Sequence, residues 1–257
     1  MSSPLIYLFA ICDRPFALPD EFSELIFHAE ADFFALISHV PEAEFGEAAI
    51  DLNLQNMEWL AVKAARHQAV IDLAIRSATV LPFKFASLFA DNTNLVHALS
   101  TQEAAFREKL TYLRGKSEYG LKVYLGTGAA AHLVDPAHFP QLAALDAEMA
   151  QAAPGRAFLL GRKRAQLVAE SEQLAVGKWV DGLYATLAGM ASQAKVNPLR
   201  SRRASGREDD MVLNAAFLLV DEKVAEFESI VAKLMPANLA KEAEIELSGP
   251  WAAYNFS

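Results

Sequence analysis

Met211-Val-Leu-Asn-Ala-Ala-Phe-Leu-Leu-Val220 decides the fold, because it is an unbroken apolar run of strand length followed at once by a different period. Asp221 is placed to cap a helix, and Val224, Phe227, Ile230, Val231 and Leu234 recur at helical spacing up to Pro236. Glu244-Ile-Glu-Leu-Ser248 then alternates apolar and polar residues, as a half-buried strand does. The chain closes on Gly249-Pro-Trp-Ala-Ala-Tyr-Asn-Phe-Ser257. A terminus with nothing to bind is usually polar and frayed. This one carries Trp251, Tyr254 and Phe256 after Pro250, so it is expected to dock on its own chain or on a partner.

Working back toward the start, Tyr119 to Leu125 reads as another strand and Pro140 to Ala152 as a helix with proline in its first turn. Pro154-Gly155 reads as a turn and Arg156 to Leu160 as a short extended piece. A long helix is expected from about Lys163 to Asn197-Pro198, striped by Leu167, Leu174, Trp179, Leu183, Leu187, Met190 and Ala194. Gly177, Gly182 and Gly189 each weaken it by roughly 1 kcal/mol against alanine. Arg200 to Asp210 is a charged loop, its arginines followed by Glu208, Asp209 and Asp210. Strand, helix, strand, strand, helix, strand is the ferredoxin-like order. The expected class is therefore α+β, with residues 117–248 as a ferredoxin-like domain holding long inserted helices.

Residues 1–116 form a separate expected α+β domain. Pro4 to Ile11 and Phe33 to Val40 read as buried strands, joined by a loop with Pro15 and Pro19. Met57, Leu60, Ala61, Ala64, Ile71, Ala74 and Ala78 mark a helix with Asn53 or Asn56 as its cap. Pro82 confines Thr79 to Phe85 to an edge or a strand end. Asn92 to Leu99 reads as a short helix. Ser100-Thr-Gln-Glu103 has capping-box spacing ahead of a helix to Tyr112.

The composition narrows the function. A hydrophobic share of 53% supplies ample core, and a net charge of −9 opposes the phosphate contacts of a nucleic-acid binder. Cys12 is the single cysteine, so the chain has no internal disulfide and fits a reducing, cytoplasmic compartment. No signal peptide or membrane-spanning run is visible. The six histidines show no metal-ligand spacing, and neither a nucleophile elbow nor a phosphate-binding loop is present. Gly126-Thr-Gly128-Ala-Ala-Ala131 spells a dinucleotide fingerprint after a strand. Asp146, twenty residues on, falls inside a helix and not at a strand end where a ribose would meet it. The reading is a glycine turn, with no catalytic residue, cofactor or metal expected. Arg162, Lys163 and Arg164 open the long helix, where cations oppose the helix dipole, so carboxylate partners are expected for them.

Three segments carry a family resemblance. Pro154-Gly-Arg-Ala-Phe-Leu-Leu-Gly-Arg-Lys-Arg164 resembles the "PGRAYLL-basic" segment of the gas vesicle accessory proteins F and L. Met211 to Val220 resembles that family's strand, and Leu247-Ser-Gly-Pro-Trp-Ala-Ala-Tyr-Asn-Phe256 its closing "L-T-G-P-W-P-P-Y-S-F". The N-terminal strand, the helix around His67 and Leu81-Pro-Phe-Lys-Phe85 match in order. Here Ala252 and Ala253 replace the usual prolines, and Phe83-Lys-Phe-Ala86 replaces "x-Arg-Phe-Gly". The resemblance implies a two-domain protein whose 249–257 tail packs between domains. It also implies a non-enzymatic, vesicle-associated role with the small hydrophobic shell protein and other accessory proteins as partners, and with no nucleic acid or lipid membrane. Trp251, Tyr254, Phe256, Pro250, Arg162 and Arg164 are then the expected interface. The rival readings are an RNA-binding module of RRM type, which needs aromatics exposed on its sheet, and an enzyme using a nucleotide cofactor.

Overall fold

A computed structural model describes residues 4–236, 239 and 242–257. The protein is α+β, with two antiparallel sheets in two compact units. One unit runs to Glu118 and includes Gly249–Ser257; the other is Tyr119–Ser248.

In the first unit, β1 (Leu5–Cys12) lies between β3 (Phe33–Val40) and β4 (Val80–Pro82). β2 (Ile26–Glu30) forms the far edge beside β3, and β5 (Leu88–Phe89) also pairs with β1. β1 runs antiparallel to β3 from Leu5 opposite Val40 to Cys12 opposite Phe34, with a register shift between Leu8 and Ala10. Both faces of β1 are covered, which is why its sequence is continuously apolar and does not alternate. Phe33 and Leu36 are an odd number apart on β3, so they point to opposite faces. Leu36 joins the core beneath α3 (Met57–Ile75). Phe33 meets Phe106 edge-on, ring centroids 5.7 Å apart. The unit also holds α1 (Glu42–Phe45), α2 (Glu47–Asn53), α4 (Asn92–Thr101) and α5 (Glu103–Leu113), and Phe106 lies on α5.

Pro82 sits at the end of an edge strand, as its missing N–H requires. Asn56 caps α3, its side-chain oxygen accepting from the backbone N–H groups of Glu58 and Trp59. Three expectations change. β2 forms where only a loop was expected. The buried stripe of α3 is His67, Val70, Ile71 and Ala74, while Met57 and Ala61 face solvent. No capping box opens α5: Gln102 holds the cap position without a side-chain bond, and Ser100 Oγ donates back to the His97 carbonyl.

The second unit is built on β6 (Lys116–Leu125), β7 (Gln193–Val196), β8 (Asp210–Val220) and β9 (Ala243–Trp251), in the order β7-β8-β6-β9. β6 and β9 each begin or end in the first unit. Every second residue of the two inner strands faces one core: Tyr119, Leu121 and Val123 from β6, and Leu213, Ala215, Phe217 and Leu219 from β8. Leu183 and Leu187 of α7 (Pro154–Ala188) and Phe227 and Val231 of α9 (Val224–Val231) fill that face. α6 (Pro140–Ala150), with Pro140 in its first turn, packs on α7, and a short α8 (Arg202–Ser205) interrupts the charged loop.

The main correction concerns α7. Pro154-Gly155 is not a turn and 156–160 is not extended; both are the first turns of a single 35-residue helix. Proline is pre-set for the first helical position, where its missing N–H costs nothing. The helix ends at Ala188, not near Asn197, and the residues after it form β7. The second strand of the strand-helix-strand-strand-helix-strand succession is therefore β7, and the long helix belongs to the first crossover. α9 likewise ends at Val231, ahead of Pro236, and comes after a 3-10 turn over Asp221–Lys223 with no side-chain cap at Lys223.

Candidate functional site

The tail holds to the first unit through buried backbone and two polar anchors. Ala252 and Ala253 are the buried members, and Ala252 belongs to the core that includes Tyr7, Phe9 and Phe45. Trp251 and Tyr254 flank this buried pair at 41% and 37% exposure, and Tyr254 carries its hydroxyl inward to His67. Phe256 is half-buried and Pro250 exposed, after a cis Gly249–Pro250 bond. The two alanines, whose small side chains let the backbone sit close, share the docking of the tail with Tyr254.

The first anchor is His67, which the α3 stripe carries inward to 6% exposure. Its Nδ1 lies 2.9 Å from Tyr7 Oη and its Nε2 2.9 Å from Tyr254 Oη. The Ala86 backbone N–H donates to Tyr7 Oη at 2.7 Å. Tyr7 then donates its own hydrogen to Nδ1, and His67 Nε2–H donates to Tyr254. A neutral imidazole supplies the one donor and one acceptor needed. Burial pushes the His67 pKa down to about 4, opposed by the Phe83 backbone, so the ring stays neutral at pH 7. Burial also raises Tyr7, and it raises Tyr254 to about 12 with help from the charges of Asp72 and Glu118. Both phenols stay protonated. The rings of Phe9, Tyr7 and Phe85 surround the imidazole at centroid distances of 5.6, 5.7 and 5.9 Å.

The second anchor is Glu118. This buried carboxylate accepts from the Asn255 backbone N–H at 2.9 Å and from its side-chain amide at 2.7 Å. Charge-assisted bonds of this kind are about twice as strong as neutral ones. Sequence reasoning did not single out Tyr7, His67, Glu118 or Asn255. The one available signal was His67 at i, i+3, i+4 and i+7 with Val70, Ile71 and Ala74.

The remaining expected interface residues lie on the other unit. Arg164 forks onto Asp146 of α6, which holds that carboxyl below its usual pKa. Arg162 is exposed. Because α7 starts at Pro154, these cations sit in its third turn and oppose no helix end. In the charged loop, Arg202 forks onto Asp210 at 2.7 Å for both bonds, and Arg207 binds Asp209 and Glu244.

The features behind the rival readings have structural uses. Gly126 N–H is spent on the Glu242 carbonyl at 2.7 Å, and a Cβ there would come within 3.1 Å of that same oxygen. Gly128 supplies the φ of +89° that the turn needs. Tyr119, Tyr124 and Phe217 on β6 and β8 are buried and offer no stacking face. Among the described residues, no three His, Cys, Asp or Glu side chains gather as a metal set, and no helix is long and apolar enough to cross a membrane.

Comparison with known proteins gives one family throughout. The model of the gas vesicle synthesis protein GvpL/GvpF family matches residues 5–257. The chain is 29% identical over 262 residues to gas vesicle protein L of Streptomyces sp. (strain CB03234), covering 98% of this chain and 92% of the relative. It is 27% identical over 226 residues to gas vesicle protein F of the same strain, covering 86% and 83%. Among solved structures, GvpF from Anabaena sp. PCC7120 superposes with a TM-score of 0.72 at 19% identity, over 99% of this chain and 98% of that one. GvpF from Microcystis aeruginosa gives 0.62 at 17%, over 99% of both. At these identities the structural likeness shows a shared fold.

Proposed function

This chain belongs to the gas vesicle synthesis protein GvpL/GvpF family, and from that premise we propose that it serves gas vesicle assembly by binding the small apolar shell protein through its tail. The observation that carries the reading is the exposed ring of Trp251 on a tail pinned by the buried Ala252 and Ala253, by the Tyr254–His67 bond and by the Asn255–Glu118 bonds. A pinned aromatic loses little conformational entropy on binding, and exposed tryptophan and tyrosine are the residues most enriched among interface hot spots. Exposed Leu52, Met57 and Val62 on α2 and α3 add apolar area to the same unit. Other accessory proteins of the vesicle are further partners on this reading. The work is adhesive, with no substrate turned over. The protein acts in the cytoplasm, at the vesicle.

Co-expression with the shell protein tests it. The tagged chain should retain shell protein on an affinity column, and Trp251→Ala should lower that yield roughly tenfold. No co-purification, together with normal vesicles in a deletion strain, would sink the reading.

A further inference from the structure

The first three turns of α7 present a face that, among the described residues, is left exposed. Phe158 is 68% exposed and Leu159 65%, and one turn further Arg162 and Lys163 continue the same stripe at i+4. Gly155, one turn before, opens onto space with no atom within 4 Å of a built Cβ. On the covered side, Gly161 approaches Met149 of α6. The neighbouring cations are already neutralised, Arg156 by Glu148 and Arg164 by Asp146. Arg162 and Lys163 have no ion-pair partner among the described residues, on a chain whose net charge is −9.

We propose that this face is a docking site for an acidic amphipathic helix of another protein, laid along α7 as a third helix beside the α6–α7 pair. The apolar pair and the cation pair are one turn apart, so they match a helix that carries an apolar residue and a carboxylate at the same spacing. The open Gly155 lets the visiting backbone come close. A bilayer is the poorer fit. Two free cations and two apolar side chains make a small lipid footprint, and a protein of this net charge is repelled by anionic headgroups. Further along the face, Gln166 bonds Glu170, where an anion ends the basic stripe. This site lies on the second unit and does not depend on the tail.

The test places the photocrosslinker p-benzoylphenylalanine at position 159 of the full chain in vesicle-forming cells, and sequences the captured peptide. The expected adduct is with an acidic amphipathic segment of a different protein. Its yield should fall roughly tenfold in Arg162→Glu/Lys163→Glu and drop in about 0.5 M salt. It should persist in Trp251→Ala, which separates this site from the tail. Several results would overturn the proposal: an adduct with a second copy of this chain, a non-acidic captured segment, no adduct, or a yield indifferent to charge reversal. So would binding to phosphatidylglycerol vesicles that Phe158→Ala/Leu159→Ala abolishes, which would assign the face to lipid.

Discussion

Tyr254 Oη lies 2.9 Å from His67 Nε2, joining the tail to the middle of α3 across 187 residues of sequence. Tyr254→Phe deletes this bond and leaves the ring. It should cost about 1 kcal/mol in urea denaturation, the usual net worth of one such bond. His67→Ala removes two bonds and opens a cavity among three rings, and should cost about 2–4 kcal/mol. Equal losses in the two variants would show that the imidazole does no more than meet Tyr254.

The same histidine sets a pH dependence. Its folded pKa, about 4, lies below the 6.5 of an unperturbed imidazole. Between those values the unfolded chain binds a proton that the folded chain refuses, so stability falls as pH drops. The contribution is complete above about 6.5, is lost as pH falls through about 4, and is on the order of 3 kcal/mol. Carboxylates titrate in part of the same range, so the reference is His67→Gln, which keeps a donor and an acceptor but does not titrate. The difference between the two stability curves should narrow from pH 7 to pH 4. A constant difference would mean that the native imidazole is charged or solvated.

The sequence made these elements legible to unequal degrees. β3 and β8 were readable because continuous apolar runs of strand length have few other uses. Pro82 and Asn56 were readable because their chemistry restricts them to an edge and a cap. Pro154-Gly155 misled, since the same dipeptide suits a turn and a helix start, and only packing against α6 separates the two. β7 was hidden in a four-residue segment, Gln193–Val196, half of it polar. The tail was located by its aromatics, yet burial fell on the alanines, because which side of an extended segment faces the core depends on a register that the segment alone does not contain.

Gly177 and Gly182 lie within α7 with open space where a Cβ would stand. Alanine at either position should stabilise the protein by about 0.5–1 kcal/mol, through a less flexible unfolded chain. Thermal unfolding of the two single variants checks this. A loss of stability at either would reveal a neighbour that approaches the helix there.

Cys12 is fully buried on β1, and burial with the charge of Asp13 pushes its thiol up to about 12. It should therefore resist thiol reagents in the native protein at pH 8 and react at once in denaturant. Rapid native labelling would mean that β1 opens readily, against its place between β3 and β4.

Ala86 has φ of +61°, a left-handed conformation that costs an L residue with a Cβ about 1 kcal/mol. It is held there because its N–H donates to Tyr7 Oη, the bond that orients the whole tyrosine–histidine–tyrosine relay. Glycine at this position relieves the steric cost but gives the unfolded chain more freedom, worth about 0.4–1 kcal/mol in the other direction. The strain is the larger of the two, so Ala86→Gly should stabilise the protein to urea by a few tenths of a kcal/mol and keep the relay. Proline removes the donor and cannot adopt the positive φ. Ala86→Pro should therefore destabilise the protein by about 2 kcal/mol or more, the combined cost of lost bond and backbone conflict. It should also loosen the tail, read as faster proteolysis of its last residues. A tail that stays protected in Ala86→Pro would show that Glu118 and the buried alanines hold it without His67.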